Sequence, residues 1–376
     1  MKKRIAGLLT LLAALCALPL PVRAAAEREI AAASAIVIEP NTGMVMYEKD
    51  PDRRMLVAST TKIMTALVVL ERCALDETVV PTAEHDAVEG SSMELVPGES
   101  YTVEELLYGL LLASGNDAAA ALADHCGGSM AGFAALMNEK AASLGLENTH
   151  YENAHGLDAP EHYSTARDLA LLTAAAMKNP VFAKIFGTLE YETHGVSYKN
   201  HNQLLETCEG CVGGKTGYTK AAGRILVSCV EREGMRLICV TVSDPDDWID
   251  HAALYDALFA RWRYISLPEE PWQRLETVSG VRGYVRLMSD VPGFVVEKDR
   301  NVTLTVRLPR FVFAPVVYGA QAGSVALTED GLALRSALLF YGETVARADT
   351  VSPSAWERFR RMWFWSAGQG VYTHEQ

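Results

Sequence analysis

The chain carries two apolar hairpins separated by a long helical section, and that order limits the fold more than its composition does. Residues 35–39 and 44–48 are strand-like runs joined by Pro40-Asn41-Thr42-Gly43, a turn containing glycine. Residues 225–230 and 237–242 are a second β-branched pair joined around Glu233-Gly234. A lone hairpin is barely stable in water. Both pairs therefore need partners, and the simplest solution is one sheet closed by distant segments and covered by the helices between and after them. The expected class is α+β.

The helical section begins at Ser59, with Ile63, Ala66, Leu67 and Leu70 on one face. Residues 103–144 are rich in alanine and leucine, with breaks near Ser114 and at Gly127-Gly128. Residues 165–177 form another helical stretch with Asp168 near its start, and Asp246-Asp247 cap one running through Ile249, Leu254, Leu258 and Trp262. Leu267-Pro268-Glu269-Glu270-Pro271 then marks a boundary. Beyond it, the short runs 281–287, 294–297, 302–308, 324–327 and 332–340 predict a small all-β domain over 272–350. A chain of 376 residues has room for both domains and an appendage.

The first residues read as an export signal over 1–24. Lys2, Lys3 and Arg4 precede an apolar run, and small residues at 24–26 suit cleavage. Pro19 and Pro21 interrupt that run too soon for a spanning helix. The first domain is then 27–266. The other terminus carries Trp356, Phe359, Met362, Trp363 and Trp365 interleaved with Arg358, Arg360 and Arg361. This predicts an amphipathic helix over 352–368 that attaches through 356–365 to the outer face of the cytoplasmic membrane. It is far too short to span. The net charge of −13 and pI near 5.2, with no basic stripe, argue against nucleic acid as a partner.

Six of the seven cysteines remain once Cys16 is cut away, and an even number in an exported chain permits disulfides. Cys208-Glu209-Gly210-Cys211 has half of a zinc spacing, but Cys229 and Cys239 do not supply the other half. The pair reads as either a local disulfide or two thiols.

Three motifs carry the chemistry. In Ser59-Thr60-Thr61-Lys62, the spacing of three puts the lysine amine beside the serine hydroxyl on a helix. A serine needs a base to become a nucleophile, and lysine serves only if burial or a nearby positive charge lowers its pKa. Ser114-Gly115-Asn116 offers a hydroxyl for proton relay and an amide to hold a peptide carbonyl. Read alone, it is equally a helix break with a cap. Lys215-Thr216-Gly217 offers a carboxylate site, a second positive charge near Lys62, and a glycine that admits substrate close to a strand.

The three motifs in this order resemble those of the D-alanyl-D-alanine carboxypeptidases, the low-molecular-mass penicillin-binding proteins. The resemblance covers about residues 30–265 and includes Pro97-Gly98-Glu99, Ala113-Ser114-Gly115-Asn116-Asp117-Ala118, Asn153-Ala154-His155-Gly156-Leu157 and Gly213-Gly214-Lys215-Thr216-Gly217-Tyr218-Thr219. It implies a penicillin-binding/β-lactamase-like transpeptidase domain, an antiparallel sheet flanked by helices plus a helical subdomain. It also implies a penicillin-sensitive acyl-enzyme on Ser59 acting on peptidoglycan stem peptides. Lys62 is then the base, Ser114 the proton relay, and Asn116 the holder of the acyl side. Lys215 and Thr216 then bind the terminal carboxylate, and Gly217 leaves room for the substrate beside the strand. The backbone N–H groups of Ser59 and Tyr218 form the oxyanion hole. No metal or cofactor enters this scheme, and β-lactams are its covalent inhibitors. His155 and His162 are expected in loops behind the site without a direct catalytic role. Two rivals remain at this stage, a β-lactamase on the same fold and a non-catalytic wall-binding protein. The second motif is Ser-Gly-Asn and lacks a following Glu-x-x-Leu-Asn loop, which counts against the first. The intact motifs count against the second.

Overall fold

The two hairpins do meet in one antiparallel sheet. A computed structural model of the chain describes residues 29–267, 273–348 and 370–375. The expected signal peptide, its cleavage site and the 352–368 helix lie outside the described residues. Strands β1 (Ser34–Glu39), β2 (Met44–Lys49), β3 (Cys211–Thr219), β4 (Gly223–Arg232) and β5 (Met235–Val242) form a five-stranded sheet in the order β2-β1-β5-β4-β3. The first hairpin joins the second through β1 and β5, with Ile36 opposite Val240. This leaves β3 at one edge, where it pairs only with β4.

The helices on this sheet are α1 (Lys62–Arg72), α2 (Val103–Tyr108), α3 (Asn116–Gly127), α4 (Met130–Ser143), α5 (Ala166–Ala176), α6 (Pro180–Phe186) and α7 (Asp247–Arg261). Local chemistry sets their ends. Thr102 caps α2 in a capping box with Glu105, Ser129 caps α4, Thr165 caps α5, and Asn179 with Pro180 opens α6. One expectation needs correction: α1 has no single apolar face. Every residue from Lys62 to Val69 is buried, so α1 is a central helix packed on all sides. Its residues share one core with α3, α5, α6 and the sheet.

The described chain divides into two compact units. One runs through Arg232 and resumes over Arg236–Leu258; the other takes Glu233–Met235 and the described residues from Phe259 on. The second unit is built on a seven-stranded sheet, ordered Phe311–Phe313, Arg274–Val278, Tyr284–Ser289, Leu332–Tyr341, Gln321–Glu329, Thr303–Leu308 and Gly370–Glu375. Val285, Leu287, Leu304, Val306, Val325, Leu327 and Leu339 fill its core. The sequence marks the strands with long apolar alternation and misses three. Arg274–Val278 alternates charged exposed residues with only a few apolar ones, and Phe311–Phe313 is three residues long. Gly370–Glu375 carries one valine and one tyrosine among polar residues.

Cysteine counting did not select the disulfide pair. Cys73 at the end of α1 is bonded to Cys126 in the last turn of α3, a sequence separation of 53, while Cys208, Cys211, Cys229 and Cys239 are free thiols. Closing a loop of that length removes enough unfolded-chain entropy to contribute about 4 kcal/mol. Urea unfolding of the Cys73→Ala/Cys126→Ala variant is expected to show a loss of that order. An unchanged midpoint would mean that the bond adds nothing to the fold.

Candidate active site

The nucleophile sits where one kind of helix becomes another. Ala58–Thr61 is a single 3-10 turn that runs directly into α1, so the helix expected from Ser59 is α-helical only from Lys62. Ala58 holds φ at +45°, a conformation costly for a residue with a Cβ and concentrated at functional sites. Ser59 is half-buried, whereas Thr60, Thr61 and Lys62 are fully buried. The spacing of three brings Lys62 Nζ to 3.0 Å from Ser59 Oγ.

Lys62 Nζ meets two further oxygens, Asn116 Oδ1 at 2.7 Å and the His155 carbonyl at 2.7 Å. Both can only accept. A neutral amine has two hydrogens and one lone pair. The two hydrogens go to the two carbonyl oxygens, and the lone pair is left facing Ser59, whose hydroxyl then donates to it. The surroundings also favour the neutral amine. Burial holds the Lys62 pKa well below its ordinary 10.5, Lys215 lowers it further, and the charge of Asp117 partly opposes both.

Asn116 can do this because its amide is fixed from the other side. Its Nδ2 donates to the Glu89 carbonyl at 2.6 Å and its backbone N–H to the Ser91 carbonyl at 2.7 Å. Residues 89–95 are in turn pinned by Asp117. The Asp117 carboxylate accepts from Ser92 Oγ (2.6 Å), Met93 N (3.0 Å) and Leu95 N (3.1 Å) while fully buried. In the sequence Asp117 stood only as a member of the run Ala113–Ala118, with no role of its own. Asp117→Ala would orphan two buried backbone donors and cost about 3 kcal/mol or more. Its melting temperature is expected to fall accordingly, and acylation should fall even at temperatures where it stays folded. Wild-type stability in this variant would remove Asp117 from the account.

Ser114 lies at the break between α2 and α3. Gly109–Ala113 forms a π-turn that Ser114 ends in the left-handed conformation at φ +61°, an arrangement common at functional sites. Neither Ser114 nor Asn116 caps the following helix; its N-cap is Gly115, without a side-chain bond. Ser114 is 3% exposed, and its Oγ has no hydrogen-bond partner among the described residues. A buried, unpaired hydroxyl is costly, which suits a group that waits for substrate.

The third motif approaches along the sheet edge. Lys215 is fully buried on β3, and burial brings its pKa down to about 7. Among the described residues its amine makes one hydrogen bond, to the Thr216 carbonyl at 3.2 Å. Gly217 passes so close to the nucleophile turn that a Cβ there would lie 3.1 Å from the Val57 carbonyl oxygen and 3.3 Å from Ser59 N. Thr216 is half-buried and Tyr218 is 66% exposed.

Both histidines flank the site as neutral groups. Nδ1 of His155 accepts from Leu157 N–H, and Nδ1 of His162 from Glu152 N–H, which leaves His162 Nε2–H to donate to Thr61 Oγ1 at 2.8 Å. Burial lowers both imidazoles to about 4. What His155 supplies is its carbonyl, and the surrounding loop is built to present it. Asn153 Oδ1 accepts from Gly156 N–H, and Thr65 Oγ1 donates to the Ala154 carbonyl. Gly156, at φ +89°, packs where a Cβ would lie 2.0 Å from the Ala58 carbonyl oxygen. No sequence signal distinguishes a backbone carbonyl that serves a site, so this contact was not foreseen.

Comparison with known proteins places this geometry. Residues 21–246 match the family model described as D-alanyl-D-alanine carboxypeptidase. The chain is 34% identical over 344 residues to the D-alanyl-D-alanine carboxypeptidase DacF of Bacillus subtilis, covering 85% of this chain and 87% of that one. It is 40% identical over 239 residues to DacB2 of Mycobacterium tuberculosis, covering 60% and 81%. Among solved structures, penicillin binding protein 5 of Haemophilus influenzae superposes with a TM-score of 0.72 at 27% identity, over 85% of this chain and 99% of that one.

Proposed function

The chain belongs to the D-alanyl-D-alanine carboxypeptidase family, and on that premise we propose how its residues divide the reaction. It is a serine-type carboxypeptidase of the penicillin-binding kind, and the β-lactamase and wall-binding alternatives are not favoured. Ser59 Oγ attacks the carbonyl between the two terminal D-alanines of a peptidoglycan stem peptide while Lys62 Nζ takes its proton. The oxyanion is held by the backbone N–H groups of Ser59 and Tyr218. As the C–N bond breaks, the proton passes from Lys62 through Ser114 Oγ to the leaving amine, and free D-alanine departs. Asn116 holds the acyl side. Lys215 and Thr216 hold the terminal carboxylate, and Gly217 lets β3 run close against the Val57–Ser59 turn. Water then hydrolyses the Ser59 ester and returns the proton to the site. A β-lactam acylates Ser59 in place of the peptide.

The observation that carries this reading is the coordination of Lys62 Nζ by two oxygens that can only accept, which directs its lone pair at Ser59 Oγ. We assign the chemistry to residues 27–266 and a β-rich appendage to 272–350. A peptidoglycan substrate places the chain's work outside the cytoplasm. Attachment here is assigned to residues 356–365, where Trp356, Trp363 and Trp365 interleave with Arg358, Arg360 and Arg361, after removal of 1–24. Mass spectrometry of a pentapeptide muropeptide incubated with the protein is expected to show loss of one alanine. An unchanged product would refute the proposal.

A further inference from the structure

We propose that the loop over 314–320, with Val281 beside it, is a lipid-docking tip of the second unit that inserts into the surface of an anionic bilayer. From Phe311 to Ala322 the sequence holds no charged residue, unusual for a surface segment, where turns are normally polar. Val317 is 61% exposed, Tyr318 60% and Val281 62%, and Pro315, Gly319 and Ala320 are exposed as well. These residues form one place rather than scattered points. The segment 344–348 runs between them: Val316 and Val345 exchange backbone hydrogen bonds, Thr344 Oγ1 accepts from Tyr318 N–H, and Val281 N–H donates to the Ala346 carbonyl. A contiguous exposed apolar patch on a soluble unit marks an interaction surface.

The occupant follows from what surrounds the patch. Arg282, Arg286 and Arg347 are exposed around it, with Glu343 paired to the first two. In a chain of net charge −13, this local surplus of arginine suits phosphate headgroups. A tyrosine with small apolar residues suits the layer beneath them. The chain also leaves the described region at Ala348, beside this tip, and a few residues later enters the Trp- and Arg-rich segment 356–365. The occupant thus rests on the reading that 356–365 lies at a membrane. The tip adds a second contact, so binding by the two is expected to multiply.

The test uses the full mature chain and sedimentation with vesicles of phosphatidylglycerol or of phosphatidylcholine. Val281→Ser/Val317→Ser/Tyr318→Ser is expected to lower partitioning to phosphatidylglycerol about thirtyfold, from the apolar area no longer buried. Val317→Ser and Tyr318→Ser alone are expected to give about threefold each. Penicillin labelling should be unchanged in all three, and a wild-type thermal unfolding profile verifies that the second unit still folds. Trp356→Ser/Trp363→Ser tests the terminal segment by itself. If the triple variant binds like wild type while the tryptophan variant does not, the tip proposal fails and the terminal reading stands. If the tryptophan variant binds normally and the triple variant does not, the terminal reading fails and the tip stands. If the wild type binds neither vesicle, both fail.

Discussion

Lys62→Met is expected to lower acylation by penicillin by about four orders of magnitude, the upper range for loss of a positioned base, and to match the inactive Ser59→Ala. Methionine keeps the length and apolar stem of the side chain, so α1 has no reason to repack. What disappears is the lone pair facing Ser59 Oγ across 3.0 Å. Lys62→Arg separates geometry from basicity. Its guanidinium stays charged at any working pH and has no lone pair to offer, so it should be as inactive as methionine. The measurement is the rate of covalent labelling by a fluorescent penicillin, with thermal unfolding as the control. Labelling by either variant within tenfold of wild type would remove Lys62 as the base. Acidification should act in the same direction as the substitution. Because burial and Lys215 hold the Lys62 pKa well below 10.5, its neutral form persists to lower pH than that of a free lysine, and acylation is lost where falling pH protonates it.

Much of this site was legible in the sequence because its chemistry lies in side chains at fixed spacings. The interval from Ser59 to Lys62 is a statement about helix geometry, and it held even though the first turn is 3-10 rather than α. Lys215-Thr216-Gly217 was read as lying just before the second hairpin; it lies on β3, the sheet-edge strand that pairs with that hairpin. What could not be read is the machinery that orients those side chains. The His155 carbonyl, the Glu89 carbonyl and the Met93 and Leu95 amides are backbone groups, identical in every residue except proline, and only the path of the loops gives them a role. Asp117 is a side chain, yet its partners lie more than twenty residues away on a segment without periodicity. Cysteine pairing was hidden for a similar reason. Cys73 and Cys126 meet only because α1 and α3 pack together, whereas Cys208 and Cys211 are close in sequence and remain thiols. The depth of burial of Lys62 was also underestimated. A one-faced reading of α1 gave no sign that its core surrounds the lysine on every side. Burial, more than Lys215, is what favours its neutral form.

Lys215 should show the opposite trade between stability and function. Its ammonium is fully buried with one weak hydrogen bond, and its pKa stands at about 7 against an ordinary 10.5. Over that interval the unfolded chain holds a proton that the folded chain lacks, so stability rises with pH from about 7 to 10.5. The burden on the fold is greatest at and below pH 7, where it amounts to roughly 5 kcal/mol. Losing the bond to the Thr216 carbonyl costs about 1 kcal/mol, so the desolvation term wins. Lys215→Met should melt several degrees higher at pH 7, with the difference shrinking toward pH 10. It should also lose about a thousandfold in kcat/KM on the peptide, since the buried cation is the partner of the substrate carboxylate. In the wild type the same group should divide the pH profiles. kcat/KM reports the free enzyme and should fall as Lys215 deprotonates above about 7. kcat reports the complex, in which the bound carboxylate raises the lysine again, and should lack that fall. An alkaline limb in both profiles, or a less stable Lys215→Met, would mean that this lysine is held for structure rather than for substrate.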